Sequence, residues 1–343
     1  MSTSSIRYEF DTTPDQGEVM PVVDGIQWLR MPLPFGLDHI NLWLLEDDDG
    51  CAIIDTGVFI DDDRKVWNKV FAGPMHGKSL TRVIVTHLHP DHVGCAGWLT
   101  REHDVELWMP REEYLLCRVL VADTERHAPE AGVRFYRGAG FPDEALHRYQ
   151  GIFGMFGKFV SPLPESYNRL ADGDVVTIGG SEWDIIVGRG HSPEHACLFN
   201  PERNLIVSGD QLLPTISSNV SVFPTEPRAN PLRDWIESLT MMKQRLPEDV
   251  LVLPAHGRPF RGAHTRLDAL IEGHMTGLSK LLDLCNEPRR AIDVFPALFK
   301  RKISNSNLIM ATGESVAHLN YLVDAGSLAV ELDRDGVLWY GLP

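Results

Sequence analysis

The apolar positions along this chain alternate between two textures, one with a period of two and one with helical spacing. Residues 22–29 alternate as a strand would, and His39-Ile40-Asn41-Leu42-Trp43-Leu44-Leu45 repeats the pattern. The acidic turn Glu46-Asp47-Asp48-Asp49-Gly50 leads into a third strand, Cys51-Ala52-Ile53-Ile54, which ends at Asp55-Thr56-Gly57. Residues 62–72 read as a helix, 82–86 as a short buried strand, and the segment after Asp91 as a helix again. A β-β-β-α-β-α opening predicts a mixed sheet with helices packed on it.

Residues 110–164 differ. They show helical spacing and many aromatics, so a helical insert between two groups of strands is expected, placed as a lid would be. Strand patterns return at 174–178, 183–187, 205–208 and 250–253. From His264 onward the pattern is helical to about 285, again at 291–299 and at 314–324. A hairpin then turns at Asp333-Arg334-Asp335-Gly336.

Composition narrows the class. A chain of 343 residues with 43% hydrophobic and 23% charged residues can bury a full core. Its start lacks the basic-then-apolar layout of a signal peptide, and no apolar run reaches the roughly 18 residues a membrane span needs. A cytoplasmic protein with no membrane contact is therefore expected. The net charge of −16 disfavours nucleic acid and anionic lipid as partners. The cysteines are odd in number and contain no C-x-x-C, which points to free thiols rather than a disulfide framework.

The chemistry concentrates in Thr86-His87-Leu88-His89-Pro90-Asp91-His92, where a buried strand gives way to a helix. A catalytic zinc needs about three imidazole or carboxylate ligands and an open position. Four such residues within six positions exceed the need of one ion, which is a reason to expect two. Three more apolar runs end in a small residue and then a ligand type: Gly190-His191, Gly209-Asp210 and Ala255-His256.

These motifs resemble the metallo-β-lactamase superfamily over roughly residues 22–262. The resemblance implies a four-layer αββα sandwich, α/β in class, with two divalent metal ions at one edge. Zinc is the expected metal, with iron or manganese as alternatives. His87, His89 and His191 would bind the first ion, and Asp91, His92 and His256 the second, with Asp210 bridging. Asp55 would orient a ligand histidine, and Asp91 would also take a proton from a hydroxide shared by the ions. Residues 1–21 then read as a leader and 22–262 as the catalytic domain carrying the 110–164 insert. Residues 263–343 read as a winged-helix-like module, because Glu314-Ser315-Val316-Ala317-His318-Leu319 is similar to the end of a lactamase-like branch.

Gly190-His191-Ser192-Pro193-Glu194-His195 is similar to the G-H-[ST]-x-x-H pattern of glyoxalase-II-like thioesterases. The expected substrate is thus a small-molecule ester or thioester. A single-stranded RNA phosphodiesterase and a lactonase or β-lactamase-like amide hydrolase are the alternatives, and a homodimer is left open. His195, Phe153 and Phe156 are candidates for the substrate side, although aromatic stripes more often serve packing. Cys95 stands one helical turn from His92 and reads as a small core residue. The other histidines, including His274 and His318, show no partner pattern and read as packed or solvated.

Overall fold

The computed structural model describes residues 6–34, 36–48 and 50–343. In chain order it forms strands β1 (Arg7–Tyr8), β2 (Val19–Val23), β3 (Ile26–Pro32), β4 (His39–Asp47) and β5 (Gly50–Ile54), helix α1 (Asp61–Ala72) and strand β6 (Ser79–Ile84). Helices α2 (Pro90–Val93) and α3 (Ala96–His103), strand β7 (Glu106–Pro110) and helices α4 (Arg111–Ala122), α5 (Glu130–Gly138) and α6 (Asp143–Ile152) follow. Strands β8 (Asn168–Leu170), β9 (Val175–Ile178), β10 (Ser181–Gly188), β11 (His195–Asn200) and β12 (Leu205–Gly209) lead to helix α7 (Pro231–Arg245). Strands β13 (Leu251–Pro254) and β14 (Phe260–Arg261) precede helices α8 (Ala263–Leu284), α9 (Phe295–Leu298) and α10 (Leu308–Asp324) and a hairpin, β15 (Ala329–Leu332) and β16 (Leu338–Gly341).

Among the described residues, β2 to β8 make one seven-stranded sheet in sequence order, parallel from β5 onward. The other seven-stranded sheet has the order β1-β14-β13-β12-β11-β10-β9, with β12 and β13 parallel. Successive side chains on a strand point to opposite faces, and the strands use both. Ile53, Val83 and Val85 face the core beneath α1, α3 and α4, whereas Ile54 and Ile84 face the space between the sheets. Ile185 and Val187 meet them there, and Ile186, Ile206 and Val252 turn outward onto α7 and α8. Four layers follow, and strands covered on both faces explain the continuous apolar runs.

Several expectations need correction. Residues 22–29 are not one strand: Asp24-Gly25 turns β2 into β3, with Gly25 at φ 73°. The leader is partly built into the fold, since Arg7 and Tyr8 pair with Arg261 and Phe260. Residues 1–5, and Asp49 of the acidic turn, lie outside the described residues. Residues 110–164 are not one lid. Helix α4 is scaffold, with Tyr114 and Cys117 in the main core, while α5 and α6 share a small core of Tyr136, Phe141, Leu146 and Tyr149. Phe153 packs against that small core and Phe156 against the main one, which explains their apolar character without a substrate. The C-terminal helices share one core with the second sheet: Leu267, Leu278, Val316 and Leu319 pack with Ile206 and Trp235. No helix among the described residues is long and apolar enough to cross a membrane.

Candidate metal centre

The site lies where β5, β6, β10, β12 and β13 end. Asp55, the residue after β5, has φ 62°, a left-handed conformation that costs an ordinary side chain about 1 kcal/mol or more. That turn carries its buried carboxylate back to three donors. Oδ1 accepts the Thr86 N–H at 2.8 Å, the Thr86 hydroxyl stands 2.9 Å from Oδ2, and His92 Nδ1 donates to Oδ2 at 2.8 Å. Pro90 opens the one-turn helix α2 and sets Asp91 and His92 after the strand.

Two ligand groups converge. In the first, His87 Nε2 lies 2.9 Å from His89 Nδ1 and 3.3 Å from His191 Nε2, and His191 Nε2 lies 3.4 Å from Asp210 Oδ2. In the second, Asp91 Oδ2 lies 3.4 Å from His256 Nε2 and 3.8 Å from His92 Nε2. Asp210 Oδ1 faces both of those imidazoles, at 3.4 Å from His256 and 3.6 Å from His92. One carboxylate therefore gives one oxygen to each group.

The far side of each ring fixes its proton. His191 Nδ1 donates to the Asn219 carbonyl at 2.7 Å, and His256 Nδ1 to the His39 carbonyl at 2.8 Å. A carbonyl only accepts, so in the neutral rings, the form that binds metal, both Nε2 atoms are lone pairs aimed inward. His92 Nε2 and Asp210 Oδ1 are buried with no hydrogen-bond partner. Such orphaned atoms are costly unless something positive meets them. Metal cations fit this donor set.

The electrostatics agree. Burial pushes His87 well down and His89 down to about 3, helped by neighbouring imidazoles. Neutral imidazole is the form that binds metal. At His92 burial also pulls down, but the Asp55, Asp91 and Asp210 carboxylates outweigh it and raise the group. A proton or a metal cation answers the same negative field.

His195 does not face a substrate. It is fully buried, its Nε2 accepts the Asp210 backbone N–H at 3.0 Å, and its ring packs 4.6 Å from that of His87. A side chain at Gly209 would strike it at 2.6 Å, so the small residue before Asp210 makes room for this ring. Cys95 turns its thiol to the Val58 carbonyl, inside the core. Sequence reasoning missed Thr86, His39, Asn219 and Glu113, which support ligands or the loops that carry them. Backbone-mediated support leaves no residue spacing to read.

Comparison with known proteins points the same way. The family model described as the metallo-beta-lactamase superfamily matches residues 35–256, and one described as a metallo-beta-lactamase-like C-terminal domain matches residues 278–342. A solved beta-lactamase domain protein from Burkholderia ambifaria is 38% identical at a TM-score of 0.87, covering 98% of this chain and 99% of that one. An acyl-coenzyme A thioesterase, MBLAC2, of Homo sapiens is 23% identical, over 54% of this chain and 63% of its own length. A linear primary-alkylsulfatase of a Pseudomonas strain is 24% identical, over 64% of this chain and 42% of its own length. The chain thus spans less than two thirds of either of these two relatives.

Proposed function

The chain belongs to the metallo-beta-lactamase superfamily of hydrolases, and on that footing we propose that it is a dinuclear hydrolase of small carbonyl thioesters or esters. The observation that carries this reading is Asp210, whose two oxygens face two separate imidazole groups. His87, His89 and His191 would hold one ion, Asp91, His92 and His256 the other, and Asp210 both. Zinc suits a set of imidazoles and carboxylates, and iron or manganese shares it. Two divalent ions supply Lewis acidity and make a water nucleophilic at neutral pH.

The chain's own groups do the rest. Asp91 accepts the proton of the attacking water at its carboxylate and returns it to the departing sulfur or oxygen. Water adds to the carbonyl carbon, the C–S or C–O bond breaks, and a thiol or alcohol leaves with a carboxylic acid, which gives up its remaining proton to solvent as a carboxylate. Asp55, Asn219 and His39 keep the His92, His191 and His256 rings from turning as charge shifts.

Support for a thioester comes from the thioesterase relative and from charge. A polynucleotide needs several cations along its phosphates, and the chain carries a net −16. Two of the cations nearest the ligand motifs have partners: Arg189 lies 3.9 Å from Glu194, and Arg258 stacks on Tyr8. The test is turnover by metal-loaded protein on acyl thioesters, esters, lactones, β-lactams, alkyl sulfates and single-stranded RNA, with His87→Ala as the contamination control. Thioesters are expected to turn over fastest. A faster RNA or sulfate reaction that disappears in the control would overturn the substrate class.

A further inference from the structure

Outside the metal centre, four groups form a hydrogen-bond chain whose direction is fixed from one end. His318 Nδ1, on α10, lies 2.8 Å from the backbone carbonyl of Glu314. Its Nε2 lies 3.2 Å from Nδ1 of His274 on α8, and His274 Nε2 lies 3.1 Å from the Ser217 hydroxyl. Both imidazoles are buried, and burial holds His274 at about 3 and His318 at about 4, so both are neutral. A carbonyl only accepts, which puts the single proton of His318 on Nδ1. Its Nε2 is then an acceptor, so His274 carries its proton on Nδ1. His274 Nε2 is left as an acceptor in turn, and the Ser217 hydroxyl donates to it. The competing acceptor, the Ser218 carbonyl, stands at 3.4 Å, too long for a strong bond.

A hydroxyl whose proton is committed inward offers the outside only lone pairs. Ser217 is exposed, in the loop between Asp210 and α7. Its neighbours in that loop serve the metal centre: the Ser218 hydroxyl donates to the Asp210 carbonyl, and the Asn219 carbonyl holds His191. Two residues of chain span at most about 7 Å, so Ser217 stands within that reach of the Asn219 backbone that holds His191. Two apolar side chains would fill the same space without the cost of burying polar rings. What the histidines add is a fixed direction for one exposed hydroxyl on that loop.

We propose that Ser217, oriented by His274 and His318, is a substrate-recognition site that accepts a hydrogen bond from a secondary amide on the substrate. A substrate hydroxyl can donate or accept and gains little from a one-way partner. An amide N–H only donates, which matches a group that only accepts. The proposal rests on the thioester reading in one respect, the placing of that amide on the thiol arm.

The probes are two thioether analogues of equal length, one with an N-acetylcysteamine arm and one in which an ester oxygen replaces the N–H. Binding to metal-loaded protein is measured by calorimetry, beside turnover of the matching thioesters. Wild type is expected to hold the amide analogue about five-fold tighter. Ser217→Ala erases that preference, Ser217→Thr keeps it, and His274→Phe, which frees the hydroxyl to turn, reduces it. Equal binding of the two analogues by wild type, failure of both to bind, or a preference that survives in Ser217→Ala overturns the proposal. Turnover without a preference removes the role of Ser217 alone. A Ser217-dependent preference without turnover supports that role and removes the thioester reading alone.

Discussion

Glu113 and Glu194 tie their two segments together: the Glu194 N–H donates to Glu113 Oε1 at 2.7 Å, and Glu194 Oε2 accepts the N–H of Glu112, the neighbour of Glu113, at 2.9 Å. The second Glu113 oxygen accepts the Leu88 N–H at 2.9 Å, between His87 and His89. One fully buried carboxylate on α4 thus joins the loop of His87 and His89 to that of His191.

Glu113→Ala strands two buried N–H groups, each worth about 1–3 kcal/mol when left without a partner. The expected outcome is a stability loss of about 2–4 kcal/mol in urea unfolding, together with weaker metal retention. Glu113→Gln, which keeps one acceptor, falls between. Unchanged unfolding of the alanine variant would show that water replaces the carboxylate freely.

Asp55→Asn keeps the size of the side chain but turns one acceptor into a donor. Its amide nitrogen then faces either Thr86 or His92 Nδ1, both of which donate to Asp55. Metal affinity at the group containing His92 should fall about ten- to a hundred-fold, read by competition with a chromophoric chelator. Affinity equal to wild type would remove Asp55 from the support of the centre.

Glu314 gives a pH dependence. Burial raises its carboxyl to about 7 from an ordinary 4.5, against one opposing hydrogen bond from Asn219. Between those values the folded chain keeps a proton that the unfolded chain has lost. Stability should therefore fall as pH rises from about 4.5 to about 7, by up to about 3 kcal/mol, and this contribution should be flat above that window. Glu314→Gln removes this slope. Denaturation midpoints of both proteins across the window check it, and identical slopes would contradict the assignment.

The legible parts of this chain were those in which chemistry and periodicity coincide. Strand β4 and the run into Asp55 stand in the sequence because both faces are covered and residues 42–45 and 51–54 are apolar throughout. The seven candidate ligands stood out because four lie together in residues 87–92 and the other three each close an apolar run. Strand β7 and strand β11 were missed, the latter because His195 was read as part of a loop motif rather than as the first residue of a strand. Helix α7 was missed despite Asn230 and Pro231, a cap and a first-turn proline. Glu113, Asn219 and the His274–His318 pair were invisible for another reason: their partners lie far along the chain, and only folding brings them together.

The most direct test of the account is metal content measured together with turnover, in wild type and in Asp210→Ala. After loading and desalting, wild type should hold about two divalent ions per chain and hydrolyse an acyl thioester. Asp210→Ala should hold about one and lose nearly all turnover, because one carboxylate serves both groups. A wild type that is fully active with a single ion, or an Asp210→Ala protein as active as wild type, would contradict the dinuclear centre.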